Sequence, residues 1–404
     1  MATIMILRRG SNHPLMYGPW IESQDAEIAG TCDARFAVVK DALRENAAHR
    51  GELGAAVAVI VDGRAVVDLW CGWADADRSR AWRQDTLVNV FSVGKAIAGL
   101  CVLMLVSRGL LDLDEPVSRR WPEFAAAGKD GITVRDLLSH RAGLAAIGRD
   151  LPEGALYEWD RVTDALAEQE PWWTPGSGHG YHVHTFGFLA GELVRRVAGE
   201  RIGSFLRREI ADALGVEMSF GLARRSSWRR AEYVFEPSLA SRAGRLGSAA
   251  GDAGLRRRAY LNPPGATGVG TVNSAAWQDA ELPSANLHAD ARGIARVYGA
   301  LLGDARPVID SDVLRQATAE AAGGEDLVLG RPSRFGLGFQ LSQPERRLGP
   351  NAGSFGHFGA GGSVGFADPQ AHVAFAYVMN RGGPQWRDPR NSALIDAVYE
   401  ALER

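Results

Sequence analysis

Two runs of β-forming residues meet at one tight turn, and this constrains the fold more than any other feature of the chain. Ala55-Ala56-Val57-Ala58-Val59-Ile60-Val61 runs into Asp62-Gly63 and is answered by Ala65-Val66-Val67-Asp68-Leu69-Trp70. Asp-Gly accepts the positive φ angles of a type I′ turn, whose twist matches the two strands it joins. An isolated hairpin is marginal in water, so it needs further strands. They lie near the other end of the chain, where Phe355 to Phe358, Ser363 to Phe366 and Val373 to Met379 read as strands and Asp368-Pro369-Gln370 as a turn.

Helical spacing accompanies both ends. Phe36, Val39 and Leu43 recur between Asp33 and Asn46, and Leu394, Ile395, Val398 and Leu402 line one face of Ser392 to Leu402. The middle is mainly helical, with apolar periodicity in Ala96 to Val106, Val134 to Leu138 and Phe186 to Val197. The expected fold class is therefore α/β in the α+β sense: an antiparallel sheet built from both chain ends and flanked by helices, with a mainly helical inserted domain. Residues 30–90 and 285–404 are assigned to the sheet domain and 91–218 to the helical one. Residues 219–284 read as a long loop or lid, because Gly, Ala, Arg and Pro dominate there and Pro263-Pro264-Gly265 punctuates it. A cleft between sheet and helical part is where a small-molecule site is expected.

Composition removes several classes. With 46% apolar and 23% charged residues and a formal charge of −3 over 404 residues, the chain is neither disordered nor built to live on phosphate contacts, so no nucleic-acid partner is expected. Arg8 and Arg9 lead into Gly10-Ser11-Asn12-His13 instead of an apolar stretch, and Ala96 to Val106 is too short to span a bilayer. A cytoplasmic protein without a membrane partner is expected, with a homo-oligomer left open. Cys32, Cys71 and Cys101 are odd in number and lack a CxxC pair, which reads as small buried residues and not as disulfides or a zinc site. The basic residues are lopsided: only Lys40, Lys95 and Lys129 are lysine, against 42 arginines.

One of those lysines stands in Phe91-Ser92-Val93-Gly94-Lys95, at the start of the apolar helix. Three residues apart, Ser92 and Lys95 project from one face of its first turn. A nucleophilic serine needs a neighbour to take its proton, and a desolvated lysine can serve where an arginine stays protonated. The plainer alternative makes Ser92 a cap and Lys95 a solvated charge, although a lysine in the first turn opposes the helix dipole. Second comes the Gly-rich run Pro175-Gly176-Ser177-Gly178-His179-Gly180-Tyr181-His182-Val183-His184. Tyr181 held near Lys95 would be a phenolate or share a proton, as base toward Ser92 and acid toward the leaving group; the alternative is a packed ring. The three histidines bring metal to mind, but no local carboxylate or cysteine completes a ligand set, and neither metal nor cofactor is expected. The third piece is Phe355-Gly356-His357-Phe358-Gly359-Ala360-Gly361-Gly362-Ser363, glycines set in a strand pattern. Read as an edge strand, it offers a backbone N–H to a carbonyl oxygen that turns negative during acyl transfer; a glycine-rich turn with a satisfied histidine is the alternative.

Together the three pieces resemble the serine β-lactamase and penicillin-binding-protein superfamily on its class C branch, and within it the β-lactamase-like family VIII carboxylesterases. Ser92-x-x-Lys95 matches the nucleophile motif, Tyr181 the tyrosine of Tyr-x-Asn, and His357-Phe358-Gly359 the Lys-Thr-Gly or His-x-Gly motif. Leu137 to Leu144, Phe335 to Phe339 and Gly362 to Pro369 also look familial. The resemblance implies Ser92 as nucleophile, Lys95 and Tyr181 as the proton-transfer pair, and the N–H groups of Ser92 and Ala360 as oxyanion hole, with His357 and Gly359 bordering the acyl-enzyme. Trp172 and Trp173 would line an acyl pocket or simply pack. Val183 stands where class C β-lactamases have asparagine, and His357 where they have lysine, so the expected activity is hydrolysis of small or medium carboxylic esters. An acyltransferase of the same architecture, an amide or β-lactam hydrolase, and a non-catalytic binding protein remain alternatives; the retained Ser92, Lys95 and Tyr181 argue against the last.

Overall fold

Asp62 and Gly63 do take positive φ, +49° and +73°, and close the hairpin. The computed structural model describes residues 27–222, 229–236, 253–304, 307–383 and 386–404. In chain order its first strands are β1 (Ala29–Cys32), β2 (Gly54–Val61), β3 (Arg64–Gly72), β4 (Val88–Asn89), β5 (Met218–Phe220), β6 (Val234–Phe235) and β7 (Leu287–Ala289). They are followed by β8 (Ala322–Glu325), β9 (Pro332–Phe335), β10 (Gln340–Leu341), β11 (Phe355–Phe358), β12 (Val364–Asp368), β13 (Val373–Met379) and β14 (Arg381–Gly382). Nine of them form one antiparallel sheet in the order β1-β3-β2-β13-β12-β11-β10-β9-β8.

The two chain ends join at β2 and β13, which pair residue for residue from Val373 opposite Val61 to Met379 opposite Ala55. Every residue of β13 is buried, and so is every residue of β2 but Val61. An unbroken apolar strand means both faces of the sheet are covered. The helix Ala291–Leu302 packs on β2, β12 and β13, while α1 (Ala37–His49) packs on β3 and on the C-terminal helix Pro389–Glu403.

Helix α2 (Val93–Ser107) is buried without interruption from Val93 to Leu105, the mark of a helix enclosed on all sides. It runs against the helix Thr185–Ala198 and against β11. At Gly99 the Phe335–Phe339 segment comes so close that a Cβ would stand 2.8 Å from the Gly338 Cα, so both positions need glycine. A small sheet, β4-β7-β5, leads the chain into α2, and β14 pairs with β6.

Two readings of the sequence change. Residues 219–284 are not one loop: the described part includes β6 and the helices Ala253–Leu261 and Ala275–Asp279. The first of these carries Arg256, Arg257 and Arg258 in its middle, which erases the apolar stripe that periodicity depends on. Residues 223–228 and 237–252 of that stretch, and the segment 1–26 on which the lack of a signal peptide was read, lie outside the described residues. Second, β11 is not an edge strand, since it lies between β12 and β10. However, β10 is two residues long and reaches only Phe355 and Gly356, so the half of β11 that carries His357 and Phe358 is paired with β12 on one side and has no strand on the β10 side. Lys129, another of the three lysines, is buried, with its ammonium donating to the carbonyls of Ala126 and Gln169.

Candidate active site

The residue before Ser92 is strained. Phe91 holds φ at +48°, a region that bulky residues rarely enter, and its ring is fixed edge-on to Tyr233 at 4.9 Å. This bend ends the approach from β4 and starts α2, with Ser92 as the residue that opens the helix. One turn on, Lys95 is fully buried, its Nζ 3.0 Å from Ser92 Oγ and 3.0 Å from the Ser284 carbonyl, to which it donates. Burial, with no carboxylate of the described residues beside it, holds the amine well below its ordinary range. A neutral amine has one lone pair, and with Ser284 taking an N–H that pair is free to face the Ser92 hydroxyl. Ser284 is itself clamped: its Oγ accepts from the Gly187 N–H at 2.7 Å, and Asn286 ties the surrounding turn to the carbonyls of Trp277 and Ala280.

Tyr181 comes in over this pair. Lys95 Nζ lies 4.9 Å from the centre of its ring, and the phenol is close enough to Ser92 for the serine side chain to act on its acidity. Burial raises the phenol, with the Ser92 contact opposing, so Tyr181 is a protonated phenol and the phenolate considered from the sequence is not what this environment favours. Its ring stacks on Phe335 at 5.7 Å, and its backbone is held by Asp326. That fully buried carboxylate accepts from the N–H groups of Tyr181, Val328 and Leu329 at 3.0, 2.9 and 2.8 Å through Oδ1, and from the Ser333 hydroxyl at 2.9 Å through Oδ2. Ser333 has one proton and gives it to Asp326, so His179 Nε2, 2.8 Å from Ser333 Oγ, is the donor in that contact.

The third motif closes the site from the sheet. His357 is buried, its ring 6.0 Å from that of Tyr181, with Nδ1 on the Phe358 carbonyl at 2.7 Å and Nε2 without a partner. Burial holds it well below the usual imidazole range. Gly359 follows, packed so tightly on the Val90 carbonyl that a side chain there would collide with it, and Ala360 is exposed at the start of a short turn, Ala360–Gly362. Arg390 fixes that turn from below. It donates to the Gly361 carbonyl at 2.9 Å and pairs with Asp388 and Glu52 at 2.6 and 3.2 Å, all three being buried. Tyr233 donates to the Ala360 carbonyl at 3.2 Å and Asn391 to that of Gly362 at 2.8 Å.

Structure thus brings Ser92, Lys95, Tyr181 and His357 together, with Gly359 and Ala360 in the adjoining turn. The tryptophans part ways. Trp173 packs beside Tyr181 and Val183, whereas Trp172 is partly exposed and its indole donates to the Ala146 carbonyl at 2.8 Å. His179 and His182 of the second motif hold their surroundings in place. His182 donates from Nδ1 to Gly180 and accepts at Nε2 from the Leu144 N–H at 3.1 Å, and burial pushes it down to about 4. Among the described residues no group of His, Cys, Asp or Glu is placed to hold a metal ion. Sequence reasoning passed over Ser284, Asp326, Arg346 and Arg390, none of which lies in the three motifs. Two cavities, one lined by Val67, Asp68 and Arg292 and the other by Tyr157, Trp159 and Arg195, include none of the cluster.

The family model described as Beta-lactamase matches residues 39–400. The chain belongs to the beta-lactamase family. Over 370 residues it is 34% identical to the Esterase/beta-lactamase LipL of Mycobacterium tuberculosis (strain ATCC 25618 / H37Rv), covering 88% of this chain and 83% of that one. A solved family VIII carboxylesterase superposes with a TM-score of 0.85 at 38% identity, over 93% of this chain and all of the other. A penicillin-binding-protein homologue from Caulobacter crescentus gives 0.84 at 39%, with the same coverage. As in the sequence reading, this beta-lactamase-family member carries Val183 and His357 where the class C pattern has asparagine and lysine.

Proposed function

We propose that the protein is a serine carboxylesterase that hydrolyses small or medium esters through an acyl-enzyme on Ser92. The observation that carries this is the buried Lys95 amine, 3.0 Å from Ser92 Oγ and with no carboxylate to hold its proton. As Ser92 Oγ bonds to the ester carbonyl carbon, its proton passes to Lys95 Nζ. The carbonyl oxygen turns negative and meets the backbone N–H groups of Ser92, at the positive end of α2, and of Ala360. The Tyr181 ring, 4.9 Å from Nζ, stabilises the transient ammonium through its π face. When the C–O bond to the alcohol breaks, the protonated Tyr181 phenol gives its proton to the leaving oxygen and regains one from Lys95. Water then takes the place of the alcohol, and the same transfers run in reverse to release the acid.

The names of the relatives support ester over β-lactam chemistry: LipL is called an esterase as well as a β-lactamase, and one structural neighbour is a carboxylesterase. The site agrees, since Val183 offers no side-chain amide to a substrate amide and neutral His357 no charge to a β-lactam carboxylate. Intact-protein mass spectrometry after a fluorophosphonate probe, with p-nitrophenyl hexanoate turnover alongside, tests the reading. One adduct on Ser92 and loss of both signals in Ser92→Ala are expected; turnover by Ser92→Ala equal to that of the parent would overturn it.

A further inference from the structure

Beyond the catalytic cluster, the side of the site next to His357 carries a cation that no carboxylate among the described residues binds. The Arg346 guanidinium lies flat on the Phe358 ring, 3.8 Å from its centre, and its Nε is buried with no hydrogen-bond partner. A second guanidinium, that of Arg331, stacks on Trp386 at 3.9 Å, and Arg346 is 5.7 Å from the same ring. The acid whose charge reaches Arg346 is Asp388, and that carboxylate is already bound to Arg390 at 2.6 Å. Burial and the neighbouring Arg331 charge together push Arg346 down to about 9, so the group gains from any anion brought to it.

Its place ties it to the chemistry. Phe358, the ring beneath it, directly follows His357 in β11, and the Arg346 charge acts on both the Tyr181 phenol and the His357 ring. Stacking occupies a face of the guanidinium, and Nε is closed off from water, so the two terminal nitrogens are the paired donors that a carboxylate accepts side by side. A guanidinium whose Nε is buried and that has no carboxylate bound to it is costly to keep in a folded protein unless a ligand completes it.

We infer that Arg346 is the substrate-reading residue of this site and that the favoured esters carry a free carboxylate, which pairs with the Arg346 edge while Ser92 attacks the ester carbonyl. The inference rests on the esterase reading for its chemistry, but its test does not depend on turnover. Ser92→Ala protein is titrated calorimetrically with neutral p-nitrophenyl hexanoate, with mono-p-nitrophenyl adipate, which carries its carboxylate on the acyl side, and with 4-carboxyphenyl hexanoate, which carries it on the alcohol side. At least one anionic ester is expected to bind about ten- to a hundredfold tighter than the neutral one, as a charge-assisted contact would give. Adding Arg346→Gln should remove that ratio, Arg346→Lys should restore part of it, and salt should reduce it. Equal affinity for all three esters, or equal weakening of all three by Arg346→Gln, would overturn the inference. Failure of the esterase reading shows separately, as absence of p-nitrophenol release by the protein with Ser92 intact.

Discussion

Asp326→Asn is the substitution that most sharply separates the motif residues from what holds them. The exchange conserves shape, so no cavity forms and the effect is confined to hydrogen bonds. In the parent, Oδ1 takes three backbone N–H groups at 2.8 to 3.0 Å and Oδ2 takes the Ser333 hydroxyl at 2.9 Å. Bonds to a charged acceptor are roughly twice as strong as neutral ones, so retaining all the Oδ1 contacts on a neutral amide still forfeits about 1 kcal/mol at each of three bonds. The new NH2 must also sit where Oδ2 was, 3.1 Å from the Tyr181 N–H, donor against donor. A destabilisation of about 3 to 4 kcal/mol follows, readable as the loss in urea unfolding free energy followed by tryptophan fluorescence. Because the strained contact is the one to Tyr181, kcat on p-nitrophenyl hexanoate should fall about 10- to 100-fold while KM changes little, the signature of a displaced proton donor. Ser333→Ala, which deletes one bond on the other oxygen and leaves the His179 Nε2–H without its acceptor, should cost about 2 kcal/mol and leave kcat within about twofold. Stability of Asp326→Asn within about 1 kcal/mol of the parent, with normal kcat, would show that Asp326 does not position Tyr181.

Three further outcomes are expected. Lys95→Arg keeps the charge but cannot accept the Ser92 proton, so ester turnover should drop by about three orders of magnitude or more, measured as p-nitrophenol release. Arg390→Leu leaves Glu52 and Asp388 buried without their cation and frees the Gly361 carbonyl, for a loss of about 3 to 5 kcal/mol in urea unfolding and a lower kcat from a slack Ala360–Gly362 turn. Lys95 also sets a pH dependence of stability. Unfolded, the amine titrates near 10.5; folded, it does so well below, so across that window the unfolded chain holds a proton that the folded one lacks, and this group makes stability rise with pH until 10.5 is passed. Lys95→Met should therefore flatten the rise in unfolding free energy between pH 7 and pH 10, and an unchanged slope would mean that the buried amine is charged.

Legibility in the sequence followed the range over which each signal acts. The Asp62-Gly63 hairpin, β11 and β13 are visible because alternation or continuous apolar runs are local, and Ser92 with Lys95 because three residues make one helical turn. Phe355–Phe358 and Val373–Met379 fall where the run of β-forming residues places them. Asp326, Ser284 and Arg390 left no trace because their roles are made by contacts across the chain: Asp326 meets Tyr181 from 145 residues away, and Arg390 meets Glu52 from 338. A lone aspartate between Glu325 and Leu327 looks like any solvated acid until the backbone N–H groups around it are seen. The helix Ala253–Leu261 was hidden for a different reason, since arginines occupy positions where a stripe would show.

The scarcity of lysine gains a physical meaning once the buried bases are compared. Arg390 is kept in the interior by two carboxylates and so can act as a rigid anchor for the turn that carries Ala360. Lys129 is kept there by the Ala126 and Gln169 carbonyls, which take its N–H groups. Lys95 has a single carbonyl and a serine hydroxyl, too little to hold an ammonium away from water, and so it gives up its proton. Arginine at that position could not relax in the same way near neutral pH, because its guanidinium keeps its proton there. Arg346 shows what that costs: it stays charged with no carboxylate bound to it, and the binding energy of a ligand anion is what can relieve it. One fold thus places two poorly compensated bases at one site, one that yields its proton to become a base for Ser92 and one that cannot and therefore selects for charge.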